Sequence, residues 1–98
     1  MKRSFMVEFE LPEEFSDEFV ALIPEQRMMI DRLLLEGKVR TYALAMDRSV
    51  LWMIMDAASE FEVLEIIATM PLSDYLDPYI SELMFHDSSE VVHEFSLN

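Results

Sequence analysis

Two side chains suited to acid–base chemistry stand among apolar residues in this sequence. Glu8 shares one side of an alternating segment with Met6 and Glu10, where burial among apolar side chains would raise the pKa of its carboxyl group into a range useful for proton transfer. Arg40 lies in a second apolar segment, and its guanidinium stays charged when desolvated and can bind a carboxylate through two parallel hydrogen bonds. The pair predicts proton transfer with stabilisation of developing negative charge.

Both residues also have ordinary structural interpretations. Glu8 would point to water if the opposite face of its strand is the covered one, and Arg40 would be a strand-surface residue paired with an acid. Tyr42, which has the same strand parity as Arg40, and Trp52, the single tryptophan, could line a pocket or be core or interface residues. The residue types alone leave both interpretations open.

Further candidates lie near the end of the chain and on a helical stripe. Glu82, Met84 and His86 would share one side of the last strand, where His86 could be catalytic or lie at the surface. Gln26 interrupts an otherwise apolar stripe, so it could hydrogen-bond beside a helix kink or line the mouth of a cavity. We include these four residues as possible substrate contacts.

Several kinds of chemistry are excluded by composition. The chain has no cysteine and only two histidines, His86 and His93, so it offers no thiolate and no recognisable metal-ligand spacing. One glycine cannot build a phosphate-binding loop. The net charge of −13 would repel nucleic acid and anionic membranes. No apolar run is long enough for a membrane span or a signal peptide. We expect no metal, no cofactor and a cytoplasmic location.

The first half of the chain predicts a strand followed by a long helix. Alternation over residues 3–11 indicates the strand, and Leu11-Pro12 ends it. Pro24 predicts a kink or break in the helix, and Gly37 predicts its C-terminal cap. The apolar stripe of this helix, with one polar member, is Phe15, Phe19, Leu22, Ile23, Gln26, Ile30, Leu33 and Leu34.

The second half predicts a hairpin, a helix and a last strand. Segments 38–46 and 49–57 carry apolar residues at both parities, which favours strands buried on both faces. Ser59 and Glu62 form a capping box for the second helix, and segment 78–85 is the last strand. The buried stripe expected for the second helix is Phe61, Leu64, Ile67 and Ala68.

These elements form one domain over residues 1–98, with a C-terminal tail at 87–98 that could add a short strand. The order β-α-β-β-α-β predicts a ferredoxin-like α+β fold, in which two helices cover one face of a four-stranded antiparallel sheet. The other face also carries large apolar residues, and a second copy of the same sheet is its simplest cover. We therefore expect a homodimer or a higher homo-oligomer.

The segments "LPEEF", "LLLEGKVR" and "MPLSDYLDPYISEL" resemble the muconolactone delta-isomerase family. The matching positions are Leu11-Pro12, Leu35-Glu36-Gly37, Arg40, Pro71-Leu72, Tyr75 and Asp77. The resemblance implies a dimeric α+β barrel, in which two sheets face each other and enclose a pocket. It also implies a cofactor-free shift of a double bond in a small unsaturated lactone. Glu8 would then be the base and Arg40 would stabilise the enolate.

Two regions depart from the pattern of that family. Its first helix usually carries Lys and acidic residues where this chain has "LIPEQRMM", and an aromatic residue and a His usually flank the Arg where this chain has Val39 and Thr41. The leading prediction is an isomerase that binds a small apolar or lactone-type molecule. The alternative is a non-catalytic homodimer of the same fold that binds a small molecule or is purely structural.

Overall fold

The computed structural model of the chain describes residues 2–87, and its elements follow the predicted order. The strands are β1 (Arg3–Glu10), β2 (Val39–Leu44), β3 (Val50–Ala57) and β4 (Asp77–Glu82), the helices are α1 (Asp17–Leu35) and α2 (Glu60–Ala68), and a short 3-10 helix spans Ser73–Tyr75. His93 and the possible strand of the tail lie outside the described residues. None of the helices within residues 2–87 is long and apolar enough to cross a membrane.

The four strands form one antiparallel sheet in the order β2-β3-β1-β4. Val7 at the centre of β1 lies opposite Met53 on β3 and Ile80 on β4, so these three side chains share one face of the sheet. Both helices pack on this face, which we call the helix face. We call the opposite face of the sheet the open face. The ferredoxin-like α+β fold is thereby confirmed.

The core lies between the helix face and the two helices. Phe5, Val7 and Phe9 of β1 are fully buried there, because alternation places every second residue on the covered side. Both helices contribute buried side chains to the same cluster, namely Phe19, Ile30 and Leu33 from α1 and Val63 and Ile67 from α2.

The buried stripe predicted for α2 is partly wrong. Val63 and Ile67 form the buried side, whereas Phe61 is 69% and Leu64 43% exposed. Because α2 carries apolar residues on more than one side, the three- and four-residue spacing alone does not select the face that meets the sheet. The predicted N-cap is confirmed, since the Ser59 hydroxyl accepts a hydrogen bond from the backbone N–H of Glu62 at 3.2 Å.

Helix α1 runs through Pro24 without a break. Proline lacks the N–H that would bond to the carbonyl four residues earlier, which belongs to Val20. Both Pro24 and Val20 are exposed residues, a position at which water can satisfy a carbonyl left without its helical partner. The break that the sequence predicted as one option therefore does not occur.

The C-terminus of α1 confirms the predicted role of Gly37. The Gly37 N–H donates to the Leu34 carbonyl at 3.1 Å and the Lys38 N–H donates to the Leu33 carbonyl at 3.0 Å. This is the Schellman arrangement of hydrogen bonds, and it requires a left-handed residue after the cap. Gly37 supplies it, with a φ of 77°.

The expectation that β2 and β3 are buried on both faces holds only for part of β3. Ile54 is buried on the open face, but Trp52 is 36% exposed, and β2 is exposed from Arg40 to Leu44. The cause is the position of β2 at the edge of the sheet and the absence of any cover on the open face within residues 2–87. The predicted hairpin between β2 and β3 is confirmed by their antiparallel pairing.

Strand β4 is shorter than predicted. It ends at Glu82, and the last contact with β1 is a hydrogen bond from the Leu83 N–H to the Ser4 carbonyl at 2.8 Å. Met84 and His86 consequently lie beyond the sheet and do not share a strand face with Glu82.

Candidate functional site

A cavity of about 310 Å³, partly open to solvent, lies between α1 and the helix face of the sheet. Its wall combines α1 and the segment before it with β2, β3 and the loops that follow β1 and α2. The lining residues are Leu11, Phe15, Phe19, Ile23, Gln26, Arg27, Tyr42, Leu44, Leu51, Leu72 and Leu76. A cavity of this size with mostly apolar walls and few polar groups is typical of a site for a small molecule.

Aromatic rings form one end of this cavity. The rings of Phe15 and Phe19 stack with centroids 4.3 Å apart, and Tyr75 meets Phe19 edge-on at 5.3 Å. The Arg48 guanidinium lies 5.7 Å above the Phe15 ring, and the Tyr75 hydroxyl donates to the Glu18 carboxylate at 3.3 Å. These contacts fix the rings in place, so the cavity presents a firm aromatic wall to a flat ligand.

Two of the polar residues in the lining, Tyr42 and Arg27, act on each other electrostatically. Tyr42 is 38% exposed as a residue, and its partial burial raises the pKa of its hydroxyl. The positive charge of Arg27 lowers this pKa in part, and the negative charge of Asp31 raises it further. Tyr42 is therefore a neutral phenol at physiological pH and can donate a hydrogen bond, while Arg27, an exposed residue, supplies a permanent positive charge. Both groups suit a ligand oxygen on which negative charge develops.

Gln26 is the third polar lining residue and is 2% exposed. Its side-chain oxygen accepts a hydrogen bond from the Leu72 N–H at 3.0 Å, and its nitrogen donates to the Met70 sulfur at 3.4 Å. Gln26 thus joins α1 to the segment that follows α2. One hypothesis from the sequence was a hydrogen bond of Gln26 in a kink beside Pro24. The Gln26 side chain bonds instead to Leu72 and Met70.

Among residues 2–87, the side chains that line the cavity include neither a carboxylate nor a histidine. Asp31 follows Arg27 by one helical turn and is near enough to influence the Tyr42 hydroxyl. Within residues 2–87, no group of three or more His, Cys, Asp or Glu side chains is arranged to hold a metal ion.

The predicted pair of Glu8 and Arg40 lies on the open face, and the structure does not bring the two together in one chain. Glu8 is opposite Trp52 on β3 and Tyr79 on β4. Arg40 instead pairs with Asp56 at 2.9 Å. Trp52 and Asp56 are four residues apart on β3, which corresponds to about 13 Å along the strand.

The ion pair of Arg40 belongs to a small network. The Asp56 carboxylate also accepts a hydrogen bond from the Ser4 hydroxyl at 2.7 Å, so its two oxygens are engaged by two strands. Arg40 thereby joins β2 to β3 within the chain. The prediction that Arg40 contacts a substrate stays a prediction.

Tyr42 lies on the opposite face from Arg40, contrary to the shared parity predicted from sequence. The register of β2 against β3 shifts between Val39 and Thr41, and a bulge of this kind places one extra residue against the partner strand. Tyr42 consequently pairs with Met53 and points to the helix face, where it lines the cavity. Counting residues in steps of two cannot detect such a shift.

The remaining predicted contacts do not line the cavity. Glu82 forms an exposed ion pair with Arg3 at 3.1 Å, Met84 is 96% exposed, and Trp52 lies on the open face. Of the eight residues predicted, the structure brings only Gln26 and Tyr42 together in the cavity.

Sequence reasoning missed Arg27, although a signal for it exists. Phe19, Ile23 and Arg27 follow one another in steps of four on α1, and residues at this spacing lie above one another on a helix. All three line the cavity, together with Phe15 from the segment before the helix. The spacing of the two apolar residues therefore predicts that Arg27 lies on the same side of α1.

The fold and the cavity define a small ferredoxin-like α+β protein with a ligand-sized space between its first helix and its sheet. The family model for muconolactone delta-isomerase matches residues 4–89. The chain belongs to this family, as the quoted segments predicted.

Solved structures of similar fold extend this result. A muconolactone isomerase is 22% identical, with a TM-score of 0.70 over 88% of this chain and 93% of that chain. A second structure is the 5-chloro-2-hydroxyhydroquinone dehydrochlorinase of Burkholderia phenoliruptrix AC1100 in complex with 2,5-dihydroxybenzoquinone. It is 14% identical, with a TM-score of 0.60 over 85% of this chain and 95% of that chain. Rv0793 from Mycobacterium tuberculosis is 17% identical, with a TM-score of 0.53 over 91% of this chain and 99% of that chain. Identities this low show a shared fold. A search of curated proteins finds no match.

Proposed function

We propose that this protein is a cofactor-free isomerase that shifts a double bond in a small unsaturated lactone, and that the reaction takes place in the cavity between α1 and the sheet. The observation that carries the proposal is the composition of that cavity. It combines apolar walls with the Arg27 cation and the neutral Tyr42 hydroxyl. The family of the chain supplies the reaction class.

The proposed reaction moves one proton and changes no oxidation state. A base removes a proton from a carbon in conjugation with the lactone carbonyl, and the electrons of the broken C–H bond form an enolate. The proton then returns to a different carbon, and the double bond has moved. Arg27 and Tyr42 would stabilise the enolate oxygen, and the apolar walls would strengthen both interactions by excluding water.

The base is proposed to be Asp31 at the rim of the cavity. It is the carboxylate whose charge acts on the Tyr42 hydroxyl, and it stands one turn from Arg27 on α1. The competing site, with Glu8 as base and Arg40 as the stabilising cation, lies on the open face. That site would need a second chain to cover it.

An isomerisation assay with single variants separates the two sites. Wild type is tested on muconolactone and related unsaturated lactones. Arg27→Ala is expected to lower kcat by about two to three orders of magnitude, since it removes a charge that stabilises the transition state. Asp31→Asn should have a comparable effect, because the amide cannot accept the proton. Arg32→Ala is the matched control, as Arg32 is on the same helix and does not line the cavity.

The open-face site predicts the reverse pattern. If Glu8→Gln and Arg40→Ala abolish turnover while Arg27→Ala and Asp31→Asn remain active, the reaction takes place on the open face. Because Arg40 also pairs with Asp56, circular dichroism of Arg40→Ala must confirm that the variant is folded.

A non-catalytic small-molecule-binding protein is the second candidate function. The observation that favours it is the lack of a carboxylate or histidine among the lining side chains. If wild type turns over none of the lactones but binds them in the cavity, this second function is the correct one.

We also propose that two chains pair through their open faces into a dimeric α+β barrel. The open face carries Trp52 at 36% and Tyr79 at 70% exposure beside the better buried Ile54. An apolar surface of this kind is stabilised when a second copy covers it. A cytoplasmic location stays a prediction.

A further inference from the structure

We propose that Gln26 is a ligand-positioning residue whose side-chain N–H donates a hydrogen bond to a carbonyl or carboxylate oxygen of the molecule in the cavity. The cavity would accordingly prefer a small apolar ring that carries such an oxygen over a ring of equal size that lacks one. This inference rests on the proposed function for the location of the site. It does not depend on whether the bound molecule is isomerised.

The orientation of the Gln26 amide follows from its partner on the loop. The backbone N–H of Leu72 can only donate, so the side-chain atom 3.0 Å away must be the oxygen of Gln26. The nitrogen then faces the Met70 sulfur at 3.4 Å. This contact occupies one of its two hydrogens, and sulfur is a weak acceptor.

The Met70 sulfur is the acceptor of the amide nitrogen within residues 2–87, and no buried side-chain N or O atom there lacks a hydrogen-bond partner. Sulfur is a weak acceptor and the nitrogen carries two hydrogens. Because Gln26 is 2% exposed and lines the cavity, a ligand oxygen in the cavity would give its amide N–H a stronger partner.

The other polar side chains of the lining favour the same kind of ligand. Arg27 can only donate, and the Tyr42 hydroxyl is protonated and available as a donor at neutral pH. The Gln26 oxygen is already engaged by Leu72. The side chains therefore offer several donors to a ligand oxygen, and a cationic ligand would be repelled by Arg27.

The choice of glutamine is also consistent with a role in the loop. Gln26 holds the segment that contributes Leu72 and Leu76 to the cavity wall. An apolar residue would leave the Leu72 N–H without its acceptor. The same side chain thus holds the wall through its oxygen, and its nitrogen would donate to the ligand.

The first experiment uses the wild-type protein and two probes of similar size. The unsaturated lactone 2(5H)-furanone carries a carbonyl oxygen, and cyclopentene does not. We follow the side-chain NH₂ signals of Gln26 by two-dimensional ¹H–¹⁵N NMR. The furanone should shift them and bind about tenfold more tightly than cyclopentene, the affinity expected from one buried hydrogen bond. Unshifted signals, equal affinities or no binding of furanone would overturn the proposal.

The second experiment uses Gln26→Glu, which retains an oxygen for the Leu72 N–H. At a pH where the introduced carboxyl is ionised it cannot donate, so furanone affinity should fall by about tenfold or more. At a pH low enough to protonate this carboxyl, one donor returns and the affinity should recover. Because an ionised carboxyl at a site only 2% exposed would itself disturb the loop, urea denaturation at both pH values must show that the variant keeps its fold, and the NH₂ shifts of wild type separate the positioning role from a structural one. Glu25→Gln, an exposed neighbour, is the matched control and should bind as wild type at both pH values.

The outcomes of these experiments are distinct from those of the isomerase test. Binding of furanone through Gln26 without turnover would refute the isomerase and support the positioning role. Turnover that is equally rapid in wild type and Gln26→Glu, with unshifted NH₂ signals in wild type, would refute the positioning role and leave the isomerase standing.

Discussion

The polar residues of the cavity differ in how the protein holds them. Gln26 is tied by its side-chain oxygen to the Leu72 backbone, whereas Tyr42 and Arg27 influence each other through charge and burial. A group held by hydrogen bonds, as the Gln26 amide is, costs little reorganisation when charge develops on a ligand, which is the physical basis of electrostatic catalysis. The three together form the polar part of an otherwise apolar wall.

The raised pKa of Tyr42 predicts a pH dependence of stability. Burial favours the protonated phenol, so the pKa is higher in the folded than in the unfolded chain, where it is near 10.0. The stability that the folded chain gains by holding Tyr42 protonated is fully present below the pKa of Tyr42 in the unfolded chain. It is lost as the pH rises through the pKa of Tyr42 in the folded chain. We expect the free energy of unfolding to decline above about pH 10, and Tyr42→Phe to reduce this decline.

Urea denaturation at several pH values between 8 and about 11 measures this effect. Tyr79→Phe is the control, because Tyr79 is 70% exposed. If Tyr42→Phe and wild type lose stability in parallel over this range, the pKa of Tyr42 is not raised by folding.

At the scale of the helix, the Schellman motif makes a prediction for Gly37. An added Cβ would have no neighbour within 4 Å, so the only penalty of Gly37→Ala is the left-handed backbone conformation at a φ of 77°. We expect a loss of about 1 kcal/mol in the free energy of unfolding. Gly37→Asn should lose less, since asparagine tolerates this conformation better. An alanine variant as stable as wild type would contradict this account.

Pro24 provides the second prediction for α1. Pro24→Ala restores a backbone N–H that can bond to the Val20 carbonyl, and it removes the steric conflict of the ring. Allowing for the larger entropy of the unfolded chain, we expect a gain of about 2 kcal/mol in the free energy of unfolding. Glu25→Ala, an exposed neighbour in the same helix, should change stability by much less. A destabilised Pro24→Ala would show that the chain depends on the proline.

For the whole molecule, the exposed aromatic residues Trp52 and Tyr79 of the open face predict a dimer. Light scattering at micromolar concentration should give roughly twice the chain mass of 11.5 kDa. Trp52→Glu places a charge in the proposed interface and should shift the protein towards monomer. Phe61→Glu alters an equally apolar residue on the exposed side of α2 and should leave the dimer intact. A monomeric wild type would exclude the barrel.

Local sequence patterns predicted most of the fold because they report on backbone structure directly. Alternation over β1, the Ser59 cap of α2 and the Gly37 cap of α1 each involve residues within a few positions of one another. The site was predicted less well because its members come from distant parts of the chain. Gln26 and Leu72, for example, are 46 positions apart and meet only after folding.

The sequence alone determined the order of the elements, the Gly37 and Ser59 caps and the family, since each of these depends on short spacings and residue types. Only the tertiary structure decided which face each candidate occupies. The register shift beside Arg40 turned Tyr42 to the helix face, and pairing with Asp56 held Arg40 on the open face. The physical reason is that a shift of one residue reverses the face of every side chain beyond it. The cavity therefore depends on strand register, which short-range patterns do not encode.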